Sequence, residues 1–112
     1  MISKDLVAAS SRPLVLSILE DGENYGYAII QRVKELSDNQ LQWTDGMLYP
    51  VLHRLEREGL ITSKWQTPTN GRRRKYYRLN DTGRSALISE QKQWLQVHRT
   101  LTKLWNPQNS LT

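Results

Sequence analysis

The residues with the clearest chemistry lie in one short run, NGRRRKYYRL at positions 70–79. There Arg72, Arg73, Arg74, Lys75 and Arg78 surround Tyr76 and Tyr77 with no acid among them. Like charges this close repel one another unless something negative offsets them. A nucleic-acid duplex presents about one charge per 1.7 Å of its axis, and neutralising its phosphates releases condensed counterions. Arginine suits that work, because its fork grips phosphate through two hydrogen bonds and also enters a narrow minor groove. The plainer reading is a solvated charge cluster. The whole chain, with 16 Lys and Arg against 11 Asp and Glu and a net charge of +5, agrees with a polyanionic partner without requiring one.

Other chemistries find little support. The chain contains no cysteine, which excludes disulfides and thiolate metal sites. His53 and His98 are its two histidines and no carboxylate cluster joins them, so no metal ligand set and no cofactor are expected. A phosphate-cradling glycine loop and a G-x-S-x-G elbow are both missing, so an enzyme is not expected. No apolar run approaches the ~20 residues of a membrane span. The N-terminal run is broken by Asp5, Ser10, Ser11, Arg12 and Pro13, which argues against a signal peptide. A cytoplasmic protein without a membrane partner is the expectation.

The elements that must position the basic run follow from periodicity. A first helix is expected from Lys4 to Glu20, with Pro13 either starting it behind Ser10 or Ser11 or kinking a longer one. A second, capped by Asn24, carries Tyr25, Ala28, Ile29, Val33 and Leu36 at spacings of three and four. Leu41-Gln42-Trp43 alternates as a short strand would. Thr44 or Asp45 then opens a third helix with Leu48, Val51, Leu52 and Leu55 on one face, and Gly59 ends it. Beyond Gly59 the period drops to two. Ile61, Ser63 and Trp65 share one side of a strand, and Tyr77 and Leu79 face together on a second from Lys75 to Leu79. Asn70-Gly71 supplies the hairpin turn between them. Three helices followed by a hairpin make a winged helix, a mainly α fold with a small antiparallel β-hairpin.

A long last helix, capped by Asn80 or Asp81, should run to about Trp105, with Pro107 ending it. Its apolar residues form heptad columns: Leu87, Trp94 and Leu101; Ile88 and Leu95; Val97 and Leu104. Such a stripe either packs back on its own domain or, together with Trp105, makes a homodimer. The expected organisation is a winged-helix DNA-binding domain over 1–80, a dimerisation helix over 81–106 and a disordered tail over 107–112.

In this arrangement the third helix reads DNA. Thr44 and Gly46 lie at its N-terminus, where backbone donors attract phosphate, while Asp45 caps it. Met47, Tyr49, Pro50, His53 and Arg54 lie off or beside the apolar stripe, with Tyr49 and Arg54 the leading candidates for base contact. Lys4 and Tyr25 complete the candidate DNA contacts. Tyr77 should anchor the wing in the core, with Tyr76 facing outward. The alternative is a winged-helix module that binds a protein partner without specific DNA binding.

The segments YGYAII, GMLYPVLHRLEREGLI, SKW and GRRRKYYRLNDTG resemble, in order and spacing, the PadR-like transcriptional regulators. The resemblance runs from about Leu14 to Gly83. It makes Pro50 unsurprising, since proline after leucine-tyrosine is usual in that family. It implies a bacterial homodimer, usually a repressor at a pseudo-palindromic double-stranded operator. The single C-terminal helix is similar to the short subfamily that includes multidrug-sensing repressors. That likeness implies a planar hydrophobic or phenolic effector stacked on Trp94 at the dimer centre. Leu6, Ala9, Pro13, Ser17, Glu90 and His98 would complete the lining. Glu90 and Pro13 depart from the small or aliphatic residues such a slot favours, and Glu90 could attract a cation instead. An ordinary dimer-core role for Trp94 remains the alternative.

Overall fold

The chain runs α1 (Lys4–Glu20), β1 (Asn24–Tyr25), α2 (Gly26–Leu36), α3 (Asp45–Arg57), β2 (Ile61–Gln66), β3 (Arg74–Leu79) and α4 (Asp81–Trp105). The computed structural model describes residues 1–69 and 71–106. Asn70, Pro107 and the rest of the expected tail to residue 112 lie outside the described residues.

Helix α1 is continuous through Pro13 and is capped by Ser3, whose hydroxyl accepts from the Leu6 amide at 3.3 Å. Ser10 and Ser11 do not start a new helix; their hydroxyls donate back to the carbonyls of Leu6 and Ala8. Proline removes the hydrogen bond to the residue four back, Ala9, which is exposed so that water can replace the donor. Val15, Leu16, Ile18 and Leu19, in the second half of the helix, are its buried residues.

Asn24 is not a helix cap. With Tyr25 it forms β1, which pairs antiparallel with β3 through Asn24 opposite Tyr77 and Tyr25 opposite Tyr76. The sheet is therefore three-stranded, in the order β1-β3-β2, rather than a lone hairpin. Two residues carry no period by which a sequence could reveal a strand. The converse holds for Leu41-Gln42-Trp43: Leu41 and Trp43 are buried and Gln42 exposed, but no strand forms. Alternating burial there lacks a ladder partner.

Helix α3 buries Leu48, Leu52 and Leu55, with Val51 half-buried beside them. It stops where Gly59 takes φ +76° and the Leu60 amide donates to the Leu55 carbonyl at 3.0 Å, the six-to-one closure of a glycine-ended helix. Along β2 the side bearing Ile61, Ser63 and Trp65 leaves the core progressively. Ile61 is buried, Ser63 half-buried and Trp65 54% exposed. On β3, Tyr77 and Leu79 are buried as their shared phase requires, and burial pushes the Tyr77 hydroxyl up to about 12.

Asn80 joins the two ends of this unit. Its side-chain oxygen accepts from the Gly83 amide at 2.8 Å and its amide nitrogen donates to the Gly59 carbonyl at 2.8 Å. Gly83 lets α4 approach the α3–β2 turn, because a β-carbon there would meet the Leu60 carbonyl oxygen and stand 3.1 Å from its carbon. Leu87 is fully buried in the subunit's own core, so it is not a dimer-face residue, and the core extends past residue 80 into α4. Beyond Glu90 the helix leaves the core, which accounts for the elongated shape of 59 × 30 × 22 Å.

Candidate nucleic-acid interface

The wing is the pair β2–β3, whose last rung is Gln66 opposite Arg74. Arg72 and Arg73 are exposed in its loop, while Arg74 and Lys75 are half-buried on the two rungs next to that loop. Three of the four cations sit over rings. The guanidinium carbon of Arg73 lies 4.8 Å from the Trp65 ring centre, and that of Arg74 lies 4.4 Å from the Tyr25 ring centre. The Lys75 ammonium stands 5.7 Å from the Tyr77 ring centre. A guanidinium attracted to a ring quadrupole keeps its in-plane N–H groups for other acceptors. Tyr76 packs edge-on against Tyr25, with ring centres 5.4 Å apart, so it braces β1 rather than facing water alone.

On α3, Thr44, Asp45, Gly46, Met47, Pro50, His53 and Arg54 are exposed. Tyr49 is not among them. It is half-buried, with its hydroxyl pressed against Gly26 at the start of α2. Position 49 follows Leu48 by one, which rotates it about 100° from the apolar stripe and towards α2 rather than into solvent. Tyr49, one of the two leading base-contact candidates, thus packs partly against α2, and the other, Arg54, is exposed. His53 stands beside Tyr49, with ring centres 6.3 Å apart. Among the described residues no three His, Asp or Glu side chains converge as metal ligands would.

These contacts place the wing relative to α3. Arg74 stacks on Tyr25, Tyr25 precedes Gly26, and Gly26 receives the Tyr49 side chain of α3. The loop end of β3 and the middle of α3 therefore meet on the two residues where β1 passes into α2.

A second polar assembly ties α1, the end of α3 and α4 together. The Arg12 guanidinium donates to Glu58 at 2.7 Å and meets a Glu90 oxygen at 3.0 Å. Hydrogen bonding from Arg12 holds the Glu58 carboxyl below its ordinary value, and the same bond raises the Arg12 guanidinium. Glu90, expected to attract a cation, already has its charge met within the chain. Its second oxygen is buried without a hydrogen-bond partner. One turn further along, Trp94 is 39% exposed. Leu6, Ala9 and Ser17 are exposed along α1 and Pro13 is half-buried, while His98 is exposed on α4. Of the expected dimer residues, Ile88, Leu95, Val97, Leu104 and Trp105 are exposed and Leu101 is half-buried.

Sequence reasoning passed over Arg12 and Trp65 as site residues. Nothing near Arg12 could have marked it, since Glu58 lies 46 residues away. Trp65 did offer a signal: a large aromatic at the end of a strand that runs into an arginine cluster.

The family model described as the transcriptional regulator PadR-like family matches residues 15–89. The transcriptional regulator Rv3488 of Mycobacterium tuberculosis is 36% identical over 89 residues, covering 80% of this chain and 79% of that protein. A transcriptional regulator from Clostridium thermocellum aligns with a TM-score of 0.83 at 28% identity, over 92% of this chain and 97% of its own. A PadR-like regulator from Bacillus cereus aligns at 0.81 and 25% identity, over 92% and 98%. Among the described residues no helix is long and apolar enough to cross a membrane. The winged-helix fold, its basic hairpin and these likenesses agree, and the chain belongs to the PadR-like family of DNA-binding transcriptional regulators.

Proposed function

We propose that the protein is a homodimeric repressor that reads a pseudo-palindromic operator and is released by a planar hydrophobic effector. Each subunit presents α3 to a major groove and lays the β2–β3 wing along the adjacent backbone or minor groove. The observation that carries this reading is the junction of Arg74, Tyr25, Gly26 and Tyr49, which fixes the cationic hairpin against the middle of α3. The exposed α3 residues Met47, His53 and Arg54 then supply base contacts, while Thr44, Gly46 and the wing arginines supply phosphate contacts.

Pairing is supported by two apolar surfaces on one chain. The distal half of α4 exposes Leu95, Val97, Leu104 and Trp105. A groove of about 1050 Å³ lies between the start of α1, the 39–43 segment and α3, with Val7, Leu41, Trp43 and Val51 among its lining. A two-fold dimer buries both surfaces reciprocally and sets the half-sites about 34–36 Å apart. Trp94, one turn beyond the Glu90 that α1 holds through Arg12, would meet its counterpart near that axis and stack on a planar effector.

The test is enrichment of duplexes from genomic fragments, followed by titration at several salt concentrations and sedimentation of the free protein. A dimer that retains a two-half-site duplex and weakens steeply with salt supports the reading. Binding that ignores salt, or a protein monomeric at every workable concentration, rejects it and leaves a protein-interaction module. Quenching of tryptophan emission by planar dyes, abolished by Trp94→Ala, tests the effector.

A further inference from the structure

We infer that Trp65 is a positioning residue for DNA recognition, its exposed indole holding the Arg73 guanidinium ready for a phosphate. The inference rests on the DNA-binding reading above and adds a residue that the reading did not use. Trp65 pairs with Lys75 on the second-to-last rung of the wing, beyond the point where its side of β2 leaves the core. It fills no interior space there. Exposing a large apolar ring at a hairpin tip gains nothing for folding, so the ring needs another occupation. The Arg73 guanidinium carbon, 4.8 Å from the ring centre, supplies one.

The arrangement is repeated across the sheet. β3 is the central strand, and a ring from each neighbour lies under a cation at its start: Trp65 of β2 under Arg73, just before the strand, and Tyr25 of β1 under Arg74, its first residue. A free arginine side chain loses several rotatable degrees of freedom when it grips a phosphate. One already held over a ring has given up part of that freedom before binding. Stacking also offsets the repulsion that would splay Arg72, Arg73, Arg74 and Lys75 apart in the free protein. Direct contact between the indole and the duplex is the rival account, and it makes a different prediction in the absence of Arg73.

The experiment is a double-mutant cycle on a labelled 30-base-pair duplex, using the full chain with Trp65→Ala, Trp65→Tyr, Arg73→Ala and the Trp65→Ala/Arg73→Ala pair. Trp65→Ala is expected to weaken binding about three- to tenfold with the salt dependence unchanged, because no charge is removed. Trp65→Tyr, which keeps a ring face, should restore most of that loss. Once Arg73 is alanine, removing Trp65 should cost less than about twofold, the coupling that marks a pair acting together. Thermal midpoints within a degree or two of wild type are expected for all four, since the site lies outside the core. Equal losses from Trp65→Ala with and without Arg73 would overturn the inference in favour of direct contact. No loss at all would overturn it too, while the wild type still binding the duplex would leave the DNA reading intact. Failure of the wild type itself to bind in a salt-dependent way overturns the DNA reading, and this inference with it.

Discussion

The Tyr49 side chain of α3 rests on Gly26 of α2, with its ring carbon Cζ 2.9 Å from where a β-carbon on residue 26 would stand and its hydroxyl nearer still. Glycine is required at that point for space rather than for backbone freedom. The contact sets the separation of α2 and α3, and through Tyr25 it also bears on the wing.

Gly26→Ala should therefore destabilise the fold by about 1–3 kcal/mol, the usual cost of forcing a methyl into a filled site. In a Tyr49→Phe background, where the hydroxyl is gone, the same substitution should cost less than half as much. Denaturant unfolding of the four proteins in the cycle checks this. Equal costs in both backgrounds would show that the hydroxyl is not the obstacle.

Gly83→Ala meets backbone instead of a side-chain tip. The obstacle is the Leu60 carbonyl, with the Leu79 side chain beside it, and that carbonyl cannot give way without moving the α3–β2 turn relative to α4. A loss of about 2 kcal/mol or more is expected, at the upper part of the overpacking range. No single side-chain truncation should rescue it. Restoration by Leu79→Ala would show that only the side chain was in the way.

The Arg12–Glu58 pair predicts a dependence on acid. The Glu58 carboxyl is held below its ordinary value by the Arg12 hydrogen bond, so the folded protein binds that proton less readily than the unfolded chain. The pair's contribution is complete above the unfolded glutamate value of about 4.3 and is lost as the pH falls through the lower folded value. Because the Glu58 side chain is 42% exposed, the amount is small, under about 1 kcal/mol after solvent screening. Titration of the Glu58 carboxyl carbon by NMR should give a midpoint below that of an ordinary glutamate. Arg12→Gln should return it towards normal, and an unchanged midpoint would rule out the pair as its cause.

Arg72→Ala should weaken binding to all duplexes alike and reduce the slope of log affinity against log salt by about one for each phosphate no longer neutralised. Arg54→Ala should act differently, relaxing preference among related sites by about 1–3 kcal/mol at the base it reads. Tyr49→Phe should leave that preference unchanged, since the ring faces α2. Competition between an enriched site and its single-base variants separates these outcomes. A Tyr49 variant with diminished selectivity would return that residue to the reading surface.

Local chemistry determined most of the fold in advance. Runs of apolar residues at spacings of three and four, a period of two after Gly59, Asn80 before α4 and the phase shared by Tyr77 and Leu79 each act within a few residues. Such short-range rules are legible in one dimension. The basic wing was legible for the same reason, its charges being consecutive. What tertiary structure alone decided were relationships between residues far apart in the chain. β1 exists only because β3 offers a free edge to Asn24 and Tyr25. Tyr49 turns inward only because Gly26 leaves room, and Leu87 belongs to the core only because α4 packs on α1 before it departs. Arg12 finds Glu58, and Trp65 finds Arg73, across turns whose geometry no spacing encodes. A periodicity states that a side chain needs burial or a partner; only the packed arrangement of elements, a matter of distances through space, decides which partner it meets.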